Sequence, residues 1–240
     1  MPLLKIPLLL VAALSNHISF TPPTPPPSKS EIAKDIPLNE RIFTSVVRQM
    51  TAMNKYVGWY AAVCETAVVI AQDRPSTVLA QFILSNLPVT TFRPTGKIAL
   101  DNIFLIGFVL NVLGTLIRRQ CFRALGRHFT FELTVKDKHK LCTTGPYSIV
   151  RHPSYTGLQM NILALVLWVS SRGSWFRESG LFNGTVGQAI AWLFMVLQVY
   201  GAANLMARTV REDVVLSKEF PEEWQQWAER VPYRLIPGVY

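Results

Sequence analysis

The chain has 240 residues with 24 basic and 15 acidic side chains, a formal net charge of +9, yet only 16% of it is charged and 50% is hydrophobic. Soluble domains average about 25% charged residues, so the composition argues against an ordinary water-soluble globule and predicts an all-α integral membrane protein. The basic surplus sits beside apolar runs, which disfavours nucleic acid as a partner and favours membrane lipid with anionic headgroups.

Taken in chain order, the first predicted element is the apolar run 3–20, interrupted by Lys5 and Pro7. Residues 1–20 read as an N-terminal transmembrane anchor or a signal-like segment, with the retained anchor favoured. The n-region is weakly basic and no small-x-small cleavage site follows. Residues 21–30 form a proline-rich linker, stiff and extended. Residues 31–128 hold two more predicted spans, 56–72 with Glu65 inside and 98–117 with Asp101 near its start. Both acids are expected in interhelical hydrogen bonds. The apolar stretch 79–89 is too short to cross and is expected to be interfacial or re-entrant. In the region 129–240, spans 155–170 and 186–206 are joined by a short loop and form a helical hairpin over 155–206.

Charge sets the orientation of these five spans. Lys29, Lys34, Arg41, Arg48 and Lys55 precede the second span. Arg118, Arg119, Arg123, Arg127, Lys136, Lys138 and Lys140 follow the third, and Arg208, Arg211 and Lys218 follow the fifth. With five spans these stretches share one side, expected to be cytosolic. Beyond residue 206 the chain becomes amphipathic, with Leu216, Phe220, Trp224 and Trp227 at helical spacing. Pro221, followed by Glu222 and Glu223, predicts a fresh helix start. An irregular tail rich in proline closes the sequence at 231–237.

Three cysteines, Cys64, Cys121 and Cys142, give no paired spacing for a disulfide framework. The four histidines, His17, His128, His139 and His152, lack metal-ligand spacing, so no metal is expected.

Three polar clusters fall on the predicted cytosolic side: Glu132 with His139, Lys140, Leu141 and Cys142; Tyr147 with Arg151, His152, Pro153, Ser154 and Tyr155; and Arg208 with Glu212 and Asp213. Each alone has a plain structural reading. Arg208 and Glu212, four apart, can be a helix-surface ion pair worth a few tenths of a kcal/mol. Arg151 and His152 can anchor a helix end at the headgroups, Pro153 can simply start a helix, and His139 can sit in a solvated basic loop. Together they combine acids for ribose hydroxyls or an amino group, aromatics for an adenine, and arginines for a carboxylate or phosphate. A cofactor pocket on the cytosolic face, formed by the C-terminal half, is the expectation.

The run His139-x-Leu141-x-x-x-Gly145-x-Tyr147, then Arg151-His152-Pro153-Ser154-Tyr155-x-Gly157, an apolar hairpin, Arg208-x-x-x-Glu212-Asp213-x-x-Leu216, Phe220-x-x-x-Trp224 and Arg230-Val231-Pro232 resembles the isoprenylcysteine carboxyl methyltransferase family. That family lies within a wider group of small membrane methyltransferases that includes phospholipid methyltransferases. The resemblance covers residues 129–240; before that only hydropathy is similar. It implies S-adenosylmethionine as donor and the carboxylate of a prenylated, farnesyl or geranylgeranyl, cysteine as acceptor, at the endoplasmic reticulum. It places Glu132, His139, Lys140, Leu141, Cys142, Gly145, Tyr147, His152, Pro153, Ser154, Tyr155 and Glu212 around the cofactor, and Arg208 and Arg151 in catalytic roles, with Arg208 on the acceptor carboxylate. Three positions depart from the family pattern: Glu132 for glutamine, Asp213 for glutamate and Trp224 for tyrosine. Rival readings are a phospholipid or other small-lipid N-methyltransferase, an NADPH-dependent sterol-type reductase, which the tail 231–237 also resembles, and a non-enzymatic membrane scaffold.

Overall fold

The structure, a computed structural model, describes residues 2–26, 38–87, 98–131 and 141–240, and no β-strand occurs among them. The helices are α1 (Lys5–Phe20), α2 (Leu38–Asp73), α3 (Val78–Asn86), α4 (Asn102–Leu125), α5 (Pro153–Ser170), α6 (Trp175–Glu178), α7 (Thr185–Glu219) and α8 (Pro221–Arg230). A short 3-10 turn precedes α1, and two others lie at Gly126–His128 and Gly145–Ser148.

Local chemistry explains most boundaries. Asp101 caps α4 by accepting from the Ile103 amide at 2.5 Å, and Gly126 ends it at a φ of 51° that favours glycine. Proline occupies the first position of both α5 and α8. Two helices run further than hydropathy alone predicts. α2 begins at Leu38, because no helix breaker separates its charged first half from the apolar stretch 56–72. α7 continues past Met206 to Glu219, so Arg208, Glu212 and Asp213 lie on one rigid helix. The stretch 79–89 forms the short helix α3 up to Asn86; its last two residues lie outside the described ones.

Among the described residues, three helical segments are long and apolar enough to cross a membrane: Pro2–Phe20, Asn102–Leu125 and Thr185–Glu219. The expected second and fourth spans are helical but more polar. α2 carries Glu65, Asp73 and other polar groups. α5 carries Gln159 and Asn161, both turned inward: Gln159 donates to the Ala202 carbonyl at 2.9 Å, and Asn161 accepts from Thr115 at 3.0 Å.

Consecutive long helices run in alternating directions, and polar contacts tie each end of the bundle. At one end Lys5 of α1 meets Glu65 of α2 at 2.7 Å and donates to the Gly173 carbonyl at 2.8 Å. Glu65 also accepts from Trp168, Ser174 and the Trp175 amide. The expected interhelical role of Glu65 is therefore observed. Asp101 serves instead as a helix cap that also receives the Arg172 amide at 3.0 Å.

The opposite end holds the start of α2 and α5 and the end of α1, α4 and α7. Here Arg118, buried in α4, donates to the Ser19 carbonyl at 2.9 Å and to the Ser154 carbonyl and hydroxyl at 3.1 Å. The rings of Phe122, Phe129 and Phe131 surround its guanidinium at 5.0–5.9 Å. α4 and α5 approach backbone to backbone at Gly114 and Gly157. A Cβ on either glycine would sit 2.6 Å from the other's carbonyl oxygen.

Candidate functional site

The site grows from the last third of α7. Arg208 and Glu212 are one turn apart, so their side chains share a face, and Arg208 Nε donates to Glu212 Oε1 at 3.2 Å. Asp213, next in sequence, points about 100° round the helix. The turn Val150–Pro153, leading into α5, lays Arg151 and His152 against both acids.

His152 is bridged. Its Nδ1 lies 3.3 Å from Glu212 and its Nε2 2.9 Å from Asp213. Both ring nitrogens facing carboxylates suits the imidazolium, in which both are donors. Burial opposes that charge, but the hydrogen bonds and charges of Asp213 and Glu212 outweigh it and hold the His152 pKa above its ordinary value. Tyr155, one turn into α5, stacks on the His152 ring at 5.9 Å and donates its hydroxyl to Glu212. Glu212 is thus fixed from three sides, while about a quarter of its side chain, 23%, remains open.

Asp213 is the second hub. It accepts from Arg151 through Nε and Nη2, from His152, and from Arg234 at 2.9 Å. Arg151 spends its remaining donor on the carbonyls of Val231 and Pro232, at 2.8 and 2.9 Å. The tail runs beneath the start of α5 and receives the Arg151 and His152 amides on Tyr233 and Arg234. Thr156 donates to the Leu235 carbonyl at 2.7 Å. α8 joins through Trp227, which donates to the Tyr147 carbonyl at 2.9 Å.

These groups border one open cleft. Its polar side is Tyr147, Arg151, His152, Ser154, Tyr155, Glu212 and Glu219, and its apolar side is Leu125, Phe129, Leu141, Val215, Leu216, Phe220 and Trp227. Cys142, His128 and Thr130 complete the lining. Burial pushes the Tyr147 phenol well above its usual pKa, so it meets any ligand as a neutral ring and hydroxyl.

Of the residues singled out from sequence, Leu141, Cys142, Tyr147, Arg151, His152, Ser154, Tyr155 and Glu212 border this cleft. Gly145 opens the 3-10 turn at a φ of 62°, and Pro153 is the buried first residue of α5; both shape the backbone. Glu132, His139 and Lys140 lie outside the described residues, although Thr130 and Leu141, on either side of that stretch, border the cleft. Arg208 sits behind Glu212 with 1% exposure. It donates to the Phe131 carbonyl at 2.5 Å and lies 3.6 Å from Glu40. The partners missed from sequence are Glu40, Trp227 and Arg234. Only Trp227 carried a signal, the helical apolar spacing of the tail.

Fold and site together define a helical membrane protein with a half-polar cleft where its helix ends converge. Residues 105–174 match the model of the Isoprenylcysteine carboxyl methyltransferase (ICMT) family, which supports the resemblance read from the sequence. The match begins inside α4, upstream of the boundary at 129, and stops before α7. The chain is 27% identical over 128 residues to Protein-S-isoprenylcysteine O-methyltransferase B of Arabidopsis thaliana, covering 52% of this chain and 55% of that protein. It is 39% identical over 128 residues to a protein of Oryza sativa subsp. indica named "Probable protein-S-isoprenylcysteine O-methyltransferase", covering 52% and 57%. It is also 25% identical over 167 residues to a Delta(14)-sterol reductase of Gibberella zeae, covering 61% of this chain and 34% of that protein. The chain thus spans about half the length of the two methyltransferase relatives and about a third of the reductase.

Proposed function

We propose that this chain is a membrane methyltransferase that uses S-adenosylmethionine to esterify the terminal carboxylate of a prenylated cysteine. The observation that carries the reading is Glu212, clamped by Tyr155, His152 and Arg208 yet open to a cleft with one apolar wall. The donor set fits the cofactor. Glu212 and Glu219 suit ribose hydroxyls or an ammonium group, and Tyr147, Phe129 and Trp227 suit an adenine ring. On this reading Glu132, His139 and Lys140, which lie outside the described residues, also serve the cofactor.

When bound, S-adenosylmethionine supplies a methyl group on a positively charged sulfur, so the hard chemistry is the cofactor's. The chain's own residues bind, align and keep water away. An acceptor carboxylate is already ionised near neutral pH, so no side chain has to act as general base. Arg208, buried behind Glu212, acts on that carboxylate through its positive charge rather than by lining the cleft, and Arg151 holds the His152 turn in place. Alignment of this kind can supply roughly 7–11 kcal/mol in favourable cases. The prenyl tail stays in lipid between helices, which explains a membrane location for the chemistry. Five crossing helices, a cytosolic cleft and the endoplasmic reticulum complete the proposal, supported by the basic helix ends on the cleft side.

The test is methyl transfer by the purified full chain to prenylcysteines, ethanolamine lipids and sterols, read by mass spectrometry. Methylation of prenylcysteine alone is expected, with Arg208→Ala lowering it by about a hundredfold. Activity of that variant within about threefold of the parent removes Arg208 from the role.

The similarity to a Delta(14)-sterol reductase favours one second reading, reduction of a sterol-like lipid with NADPH in the same cleft. Thermal stabilisation by S-adenosylhomocysteine supports the first reading; stabilisation by NADPH alone supports the second.

A further inference from the structure

Glu40 lies in the first turn of α2, far upstream of the motifs that resemble a methyltransferase, and is 0% exposed. Its two carboxylate oxygens face two arginines of α7. Oε2 meets Arg211 Nη1 at 2.6 Å, and Oε1 lies 3.6 Å from Arg208 Nε and accepts from Thr44 at 3.3 Å. Arg208 and Arg211 are three residues apart on one helix, close enough to repel. Glu40 stands between them. Arg208 is then held from three directions, by Glu40, Glu212 and the Phe131 carbonyl.

Stability is a weak reason for such a group. A buried ion cluster is often replaceable by apolar side chains at little or no cost. The cluster does give Arg208 one orientation, one turn from the carboxylate that borders the cleft. We propose that Glu40 is a positioning residue for Arg208, through which the N-terminal half of the chain governs recognition of an anionic acceptor. The acceptor clause rests on the methyltransferase reading above. The geometric clause, that Glu40 restrains Arg208, does not.

Glu40→Gln keeps the shape and removes the charge. Arg211 then repels Arg208 with no carboxylate between them, and the restraint on the guanidinium loosens although Glu212 and the Phe131 carbonyl still hold it. Glu40→Asp keeps the charge on a shorter stem. Two measurements on the full-length protein in lipid nanodiscs test the idea. The first is phenylglyoxal labelling of Arg208, read on peptides by mass spectrometry. Labelling is expected to rise by about fivefold in Glu40→Gln as the buried group opens, and to return at least halfway in Glu40→Asp. The second is kinetics with a farnesylcysteine analogue. KM for the acceptor is expected to rise by about tenfold in Glu40→Gln, while affinity for S-adenosylhomocysteine stays within about twofold.

Unchanged labelling overturns the geometric clause. An acceptor KM that is unchanged or lower overturns the recognition clause. Equal loss of cofactor affinity and thermal stability in both variants also overturns the proposal, since it marks a purely structural pair. If the parent protein shows no methyl transfer to prenylcysteine, the methyltransferase reading fails, and labelling still decides whether Glu40 restrains Arg208.

Discussion

His152 Nε2 lies 2.9 Å from Asp213 Oδ1, joining the turn before α5 to the far end of α7. Together with the contacts of Arg151 to Asp213 and of Tyr155 to Glu212, it ties two segments 61 residues apart. It fixes the ring on which Tyr155 stacks, and through Tyr155 the carboxylate of Glu212.

The contact makes stability depend on pH in a defined direction. The folded pKa of His152 is raised, whereas in the unfolded chain the ring titrates near about 6.5. Its contribution is fully present below that pH and is lost as pH rises through the higher folded value. The melting temperature of the purified protein should fall as pH is raised from slightly acidic into the alkaline range. His152→Gln should flatten that slope; an equally steep slope in the variant contradicts the assignment.

Asp213→Asn leaves Arg151, Arg234 and His152 facing a neutral amide. Removing one partner of a buried charge cluster costs roughly 3–5 kcal/mol. A large drop in melting temperature is expected, with Asp213→Glu recovering most of it because the carboxylate is kept. Equal stability of Asn and parent would show that Asp213 is not the hub described.

The crossing of α4 and α5 has no room for a methyl group at Gly157. The added Cβ would meet the Gly114 carbonyl at 2.6 Å and Arg118 Cγ at 2.9 Å. Overpacking of this kind costs about 1–3 kcal/mol. Gly157→Ala should lower thermal stability and, by pushing α5 away from Arg118 and Ser154, should also weaken ligand binding in the cleft. Gly184→Ala, with nothing within 4 Å of the new Cβ, is the matched control.

At the other end of the bundle, Lys5→Met should destabilise by roughly 3–5 kcal/mol, because it strands Glu65 without its cation. Adding Glu65→Gln should recover much of that loss. A double variant as unstable as the sum of the two singles would deny the coupling.

Sequence carried the local features well. The proline starts of α5 and α8, the acids in the first turn of α8 and the pairing of Arg208 with Glu212 all follow from spacing within a turn or two. So does the grouping of Tyr147, His152 and Tyr155, because thirteen residues of turn chemistry lie together at a helix start. What escaped was long-range. Nothing near Glu40 announces Arg208, and Lys5 reads as an interruption of a span until Glu65 appears opposite it. Hydropathy also stopped α7 at 206, because polarity changes there while backbone helicity does not.

The stitched underside of α5 sets an order of assembly. Arg151, His152 and Thr156 find carbonyl acceptors on Val231, Pro232, Tyr233, Arg234 and Leu235, all translated after α7. A nascent chain that has already inserted its long helices still has these donors unmatched. A premature stop within α8 would therefore leave the long helices intact but remove the carbonyl acceptors that close the underside of the pocket.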